Sequence, residues 1–112
     1  MTVSEISTVL EAELVCGNTD KTFEGVYVGD LLSRAMSRVG SDSLFVTIMA
    51  NTNMIAVASL TEAAAVILAE SVKLPEEAIE AACENGITVL TSPLSAYEIC
   101  VRIHEACGSV TA

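Results

Sequence analysis

Three short polar clusters in this chain of 112 residues carry groups that could contact a ligand: Gly29-Asp30, Asn51-Thr52-Asn53 and Thr91-Ser92-Pro93. Each follows a stretch whose pattern favours a β-strand. In an open parallel sheet, ligands bind beyond the carboxyl ends of the strands, where helix N-termini present free N–H groups. The clusters therefore predict a shared pocket, whose candidate ligand-binding residues are Gly29, Asp30, Asn51, Asn53, Thr91 and Ser92.

The same clusters also have a purely structural interpretation, because Asp, Asn and Ser are preferred at helix N-caps. Asp30 precedes an apolar helical stripe and stands where an N-cap is expected. A side chain that caps a helix can also contact a ligand. Both interpretations therefore stay open at the level of the sequence.

Catalytic signatures are absent from the sequence. A Walker loop needs Gly-x4-Gly-Lys-Ser/Thr, and neither Lys21 nor Lys73 stands in that context. Asp30 could serve as a general base, but it has no nucleophile, metal partner or histidine near it in the sequence. The single histidine, His104, falls near the end of the last predicted helix. We therefore expect no catalytic residues and no enzymatic activity of the chain's own.

The four cysteines do not have the spacing of a metal site. None of them forms a Cys-x-x-Cys pair, whereas zinc ligands are typically separated by two to four residues. Three of them fall on apolar faces of predicted helices: Cys83, Cys100 and Cys107. We expect reduced, buried thiols that pack as small hydrophobic residues, and neither a metal nor a cofactor.

Hydrophobic periodicity predicts the elements that must position the polar clusters. Thr2 and Glu5 have the spacing of a capping box and open a short first helix. Central strands are predicted at 44–49 and 64–68, because both runs are apolar nearly throughout. The other predicted elements are strands at 13–16, 23–28 and 87–90, and helices that end at Gly40, Thr61, Asn85-Gly86 and Gly108.

The alternation of strands and helices from Leu44 onward favours parallel strands joined by right-handed crossovers, with helices on both faces. The predicted fold class is α/β, a three-layer α/β/α sandwich with a mostly parallel sheet of four to five strands. Residues 1–112 are predicted to form one domain. A composition with 52% hydrophobic and 4% aromatic residues predicts a mainly aliphatic core.

The charge balance limits the partners of this domain. Five basic residues against fifteen acidic ones give a formal net charge of −10, which repels a phosphate backbone and anionic lipid. The first twelve residues lack the basic start of a secretory leader, and the longest apolar run, 63–69, is too short to span a bilayer. We expect a cytoplasmic protein that binds neither nucleic acid nor membrane.

The segment Asp20-Lys-Thr-Phe-Glu-Gly-Val-Tyr-Val-Gly-Asp-Leu-Leu-Ser33 resembles the signature region of DRTGG domains. That family is similar in fold to the N-terminal domain of HPr kinase/phosphorylase. The resemblance runs from the first helix to Arg102 and includes Val46–Met49, Ile55–Ala58 and Thr91–Glu98. It implies a mixed α/β/α sandwich like the N-domain of HPr kinase.

The motif that gives the family its name is altered in this chain. Lys21 stands where the family has Arg, Glu24 where it tends to have Thr, and Val26 where it has the second Gly. A carboxylate at position 24 would repel an anion in that turn, and a β-branched residue at position 26 restricts the backbone. An anion contact through this turn is therefore not expected.

The resemblance implies a non-catalytic accessory role. Such domains occur beside nucleotide-binding CBS modules and inside phosphotransacetylases, and small free-standing members resemble proteins encoded near iron-only hydrogenases. We therefore expect a regulatory or ligand-sensing module that binds a small metabolite, a nucleotide among the candidates, or docks on a larger metabolic or redox enzyme. The alternative is a structural homodimeric interaction protein, or an accessory subunit of a hydrogenase-type redox complex.

Overall fold

A computed structural model describes residues 1–108, which form five helices and five strands. The helices are α1 (Val3–Val9), α2 (Leu32–Arg38), α3 (Thr52–Thr61), α4 (Glu76–Glu84) and α5 (Ala96–Cys107). The strands are β1 (Glu13–Cys16), β2 (Gly25–Val28), β3 (Ser43–Thr47), β4 (Ala65–Leu68) and β5 (Val89–Thr91). Within these residues, we find no helix with the length and apolar character needed to cross a membrane.

The five strands form one mixed sheet in the order β1-β5-β4-β3-β2. Strands β2 to β5 run parallel to one another, and β1 pairs antiparallel with β5 at the far edge. The carboxyl ends of four strands therefore lie along the same edge of the sheet. The predicted α/β class and mostly parallel mixed sheet are confirmed.

Helices cover both faces of this sheet. The buried side chains of α2, α3 and α4 pack with Phe45 of β3, whereas those of α1 and α5 pack with Val46. Neighbouring residues of a strand point to opposite faces, so these two clusters are the two halves of the core. All five residues of β3 and all four of β4 are buried, which explains the apolar runs Leu44–Val46 and Ala65–Leu68.

Local hydrogen bonds explain where several helices begin. At α1, the hydroxyl of Thr2 accepts from the Glu5 amide at 3.1 Å, and the Glu5 carboxylate accepts from the Thr2 amide at 3.0 Å, so the predicted capping box is confirmed. Asn51 caps α3 by accepting from the Met54 amide at 2.9 Å, and Ser95 caps α5 by accepting from the Glu98 amide at 3.1 Å.

The expectation that Asp30 caps the second helix is wrong. Helix α2 begins at Leu32 with Leu31 as its N-cap, and no side chain in the described chain caps it. The Asp30 carboxylate is turned toward the end of β3 instead, where it accepts hydrogen bonds from Thr47 and Ile48. Two donors on the neighbouring strand end thus compete with the helix amides for this carboxylate.

The expectation of a buried thiol at Cys83 is also wrong. This side chain is exposed, whereas Cys16 is buried and Cys100 and Cys107 are half-buried. Helix α4 turns Ala78 and Ala82 toward the sheet. Because consecutive helical residues are rotated by about 100°, the residue that follows Ala82 points away from the buried stripe.

Candidate functional site

All three polar clusters lie at the carboxyl edge of the sheet, because β2, β3 and β5 are parallel. Of the cavities lined by residues 1–108 alone, none brings the three clusters together. Asn51 lines one cavity, Thr91 and Ser92 line another, and of the described residues Gly29 and Asp30 border neither of these two. Each cluster therefore has its own set of neighbours.

The Gly29-Asp30 cluster ties the end of β2 to the end of β3. The Asp30 carboxylate accepts from the Thr47 hydroxyl and from the Ile48 amide, both at 2.9 Å. The Gly29 amide donates to the Val46 carbonyl at 3.1 Å. A Cβ at position 29 would lie 3.1 Å from the ring of Tyr27, so this glycine makes room for an aromatic side chain. These contacts give both residues a structural role.

The Asn51-Thr52-Asn53 cluster forms the start of α3. The Asn51 side chain caps the helix, and Asn53 is exposed in its first turn. A cavity of about 180 Å³ lies between this helix end and the start of α4, where it is lined by Asn51, Thr52, Pro75, Glu77 and Ala78. The carboxylates of Glu76 and Glu77 in the first turn of α4 make this cavity unfavourable for an anion.

The Thr91-Ser92 cluster joins three segments of the chain. Ser92 has no exposed surface: its hydroxyl donates to the Leu10 carbonyl at 2.7 Å and accepts from the Leu94 amide at 3.2 Å. The Thr91 hydroxyl is half-buried and donates to the Val72 carbonyl at 3.1 Å. The Ser92 hydroxyl therefore donates and accepts inside the protein, although the residue borders a cavity.

This second cavity has a volume of about 270 Å³ and lies beyond the ends of β4 and β5. After β4 the chain continues into α4 on one face, and after β5 it continues into α5 on the opposite face. The two loops therefore lead in opposite directions, and a crevice lies beside their backbone hydrogen bonds, next to the start of β1. A crevice of this kind is the topological switch point, at which open α/β sheets bind their ligands. We refer to it as the switch-point cavity.

The residues that line the switch-point cavity come from three segments: Glu11, Glu13, Ser71, Lys73, Thr91, Ser92 and Pro93. Among the described lining residues, Lys73 is the only cation. Glu11 is engaged by Arg102, whose Nη1 lies 2.9 Å from its Oε2. Lys73 and Glu13 thus place one positive and one negative group at the rim, an arrangement that suits a ligand carrying both an anionic group and hydrogen-bond donors.

The rim of this cavity includes left-handed backbone. Glu70 and Ser71 have φ values of 58° and 56°, a conformation that costs about 1 kcal/mol or more for each residue other than glycine. Their amides donate to the carbonyls of Leu94 and Ser92 at 2.9 and 2.8 Å. The loop after β4 is therefore held in an unfavourable conformation by the loop after β5, as is common at binding sites.

Sequence reasoning located the carboxyl edge and two residues of the switch-point cavity, Thr91 and Ser92, but it missed Lys73 and Ser71. A usable signal exists for Lys73, because it is one of only two lysines and stands in the loop between a predicted strand and a predicted helix. Within residues 1–108, no group of three or more His, Cys, Asp or Glu side chains could hold a metal ion.

The architecture defines a class: a mixed-sheet α/β/α domain with a crevice at its strand ends. The family model described as the DRTGG domain matches residues 5–106. The chain therefore belongs to the DRTGG domain family, and the resemblance found in the sequence is confirmed. No curated protein matches this chain.

One similar solved structure contains the CBS and DRTGG domains of the regulatory region of a Clostridium perfringens pyrophosphatase, complexed with its activator diadenosine tetraphosphate. The TM-score is 0.73 at 19% sequence identity, and the match covers 91% of this chain and 45% of that chain. The chain thus spans less than half the length of this neighbour. At this level of identity the likeness establishes a shared fold.

Proposed function

We propose that this chain is a non-catalytic regulatory module of the cytoplasm that binds a small metabolite, with nucleotides as the first class to test, in the switch-point cavity. The family and the structural neighbour support a regulatory role, because that neighbour is part of an enzyme's regulatory region and was solved with a dinucleotide activator. The observation that carries the proposal is the cavity of about 270 Å³ that the loops after β4 and β5 form with the start of β1.

The chemistry of the rim supports an anionic ligand with polar groups. The exposed ammonium group of Lys73 can pair with a phosphate, while Glu13 and the Ser71 hydroxyl can accept hydrogen bonds from ribose hydroxyls or a base amine. A volume of about 270 Å³ is close to the lower end of ligand pockets, which span roughly 300–1,000 Å³. The cavity would therefore enclose only part of a nucleotide.

The proposal is tested by isothermal titration calorimetry with AMP, ADP, ATP and diadenosine tetraphosphate, and with inorganic phosphate for comparison. Replacement of Lys73 with Met should weaken the binding of a phosphorylated ligand about tenfold, because one charge-assisted contact is lost at a solvent-exposed rim. The matched control is Lys21→Met, which removes the only other lysine at a position outside this cavity.

The variants also show which of the two cavities binds the ligand. If the switch-point cavity is the site, Asn51→Ala should leave the dissociation constant unchanged, because Asn51 lines only the cavity between α3 and α4. A loss of binding in Asn51→Ala but not in Lys73→Met would move the site to that second cavity. Equal losses in Lys73→Met and Lys21→Met, or no binding of any of these compounds, would contradict the proposal.

A second candidate function is docking to another protein, either a second copy of the chain or a larger metabolic or redox enzyme. It is favoured by three exposed apolar side chains next to Asp30: Val28 at 42% exposure, Leu31 at 67% and Ile48 at 44%. Grouped apolar surface of this kind is typical of contact sites.

The docking function is tested by analytical ultracentrifugation. Leu31→Ser should shift the protein from dimer to monomer if this apolar group forms a homodimer contact. Leu60→Ser is the matched control, because Leu60 lies on α3 and is equally exposed, at 70%. A wild-type protein that is monomeric at all accessible concentrations would rule out the homodimer. The docking function would then require a different protein as the partner.

A further inference from the structure

Two cysteine side chains far apart in the sequence meet at the edge of the fold. Cys16 ends the edge strand β1, Cys83 lies in the last turn of α4, and their sulfur atoms are 3.0 Å apart. We propose that Cys16 and Cys83 form an oxidative modification site, at which a low-molecular-weight disulfide joins the two thiols into an intramolecular disulfide. This inference goes beyond the proposed ligand binding and does not depend on it.

The geometry requires little movement. A disulfide bond is about 2.05 Å long, so the two sulfur atoms must approach each other by about 1 Å. Cys83 is the second-last residue of α4, where the terminal turn of a helix adjusts most easily. The other two cysteines, Cys100 and Cys107, are on α5, which covers the opposite face of the sheet. The pairing is therefore defined by the fold.

The two thiols differ in a way that sets the order of reaction. Cys83 is exposed, whereas Cys16 is only 6% exposed and donates its S–H to the Ile87 carbonyl at 3.3 Å. Burial, and secondarily the contact with Cys83, raises the pKa of the Cys16 thiol to about 11. A thiol with a raised pKa is rarely in its nucleophilic thiolate form, so the exposed Cys83 reacts first.

The reaction with oxidised glutathione balances in two exchange steps. In the first step, the Cys83 thiolate attacks one sulfur of the glutathione disulfide, forms a mixed disulfide and releases one glutathione thiolate. In the second step, the Cys16 thiolate attacks the Cys83 sulfur and releases the other glutathione thiolate. The two protein thiols lose two electrons, the glutathione disulfide gains them, and the two protons end on the released glutathione thiols.

The mixed disulfide also removes two of the causes that hold the pKa of Cys16 high. In the reduced protein, a Cys83 thiolate favours the protonated form of Cys16 by accepting its hydrogen bond and by charge repulsion, and both effects add to that of burial. Once the Cys83 sulfur is bound to glutathione, it carries neither a proton nor a charge. Attack by Cys16 on the mixed disulfide is therefore easier than attack by Cys16 on oxidised glutathione in the reduced protein.

The test is to incubate the whole protein with oxidised glutathione and to measure intact mass and non-reduced peptides by mass spectrometry. We expect the mass to fall by two hydrogen atoms and one cross-linked peptide pair to contain Cys16 and Cys83. Cys83→Ser should abolish this cross-link, and Cys100→Ser should leave it unchanged. Cys16→Ala should stop the reaction at one glutathione on Cys83, and the wild-type peptide map is decisive even if this buried variant does not fold.

The thermal stability gives an independent readout. The contact joins residues separated by 67 positions, so a cross-link would restrict the unfolded chain strongly. We expect the oxidised protein to melt about 10 °C above the reduced one. A stable glutathione adduct on wild-type Cys83, a cross-link between other cysteines, an unchanged mass, or a melting temperature that does not rise would each overturn the proposal.

Discussion

The β2–β3 end and the β4–β5 end of the sheet lie on the same edge but are closed differently. Beyond β2 and β3, helices α2 and α3 leave toward the same face, and the Asp30 carboxylate connects the two strand ends through Thr47 and Ile48. Beyond β4 and β5, helices α4 and α5 leave toward opposite faces. Backbone hydrogen bonds join their loops, and a cavity of about 270 Å³ lies beside this junction, next to the start of β1.

This difference shows that a polar residue after a parallel strand is not sufficient to make a ligand site. Asp30 and Ser92 both follow strands, yet the Asp30 Oδ1 and the Ser92 hydroxyl form hydrogen bonds within the protein. The crevice arises from the divergence of two consecutive helices, as the rule for open α/β sheets states. We therefore assign Asp30 and Ser92 to holding the edge together, and propose Lys73 as the group that meets a ligand.

The largest expected effect comes from Ser92→Ala. It leaves the Leu10 carbonyl and the Leu94 amide without their partner in a site with no solvent access, which should lower the free energy of unfolding by about 3 kcal/mol. Urea denaturation measures this loss. Ser95→Ala is the control, because it removes only the N-cap of α5 and should cost about 1 kcal/mol.

Ligand binding by the same Ser92 variant, measured well below its melting temperature, tests whether this side chain contacts a ligand. A structural Ser92 predicts an unchanged dissociation constant for any ligand that the wild type binds. A variant with wild-type stability but reduced affinity would instead make the Ser92 hydroxyl a ligand contact, and would contradict its assignment as an internal link.

A smaller effect is expected for Asp30→Ala at the β2–β3 end. The substitution removes two hydrogen bonds to an exposed carboxylate, so the free energy of unfolding should fall by about 1.5 kcal/mol. Asp30→Asn keeps an oxygen in place and should cost about half as much. Denaturant titrations of the three proteins give these values. A loss of ligand affinity in Asp30→Asn at unchanged stability would place a binding site at this end of the sheet.

The sequence predicted the fold better than the site, and particular residues show why. The apolar runs of β3 and β4 and the Thr2–Glu5 capping box are local signals, so their elements were found within a few residues. Thr47 is 17 positions from Asp30 and Leu10 is 82 positions from Ser92, and spacing alone cannot reveal such contacts. Lys73 has a suggestive position in the sequence, but the cavity that it lines is formed by three segments that only the fold brings together.

The smallest expected effect tests the conformation of the loop that borders the cavity. Ser71 has φ 56°, which glycine adopts without steric cost, so Ser71→Gly gains about 1 kcal/mol in the folded state. The larger freedom of glycine in the unfolded chain offsets about half of that gain. The free energy of unfolding should therefore rise by about 0.5 kcal/mol.

Ser41→Gly is the control, because Ser41 is an exposed turn residue with negative φ and should lose stability by a similar amount. If both variants lose stability equally in denaturant titrations, the Ser71 backbone is not left-handed in solution. The switch-point cavity would then have a different rim.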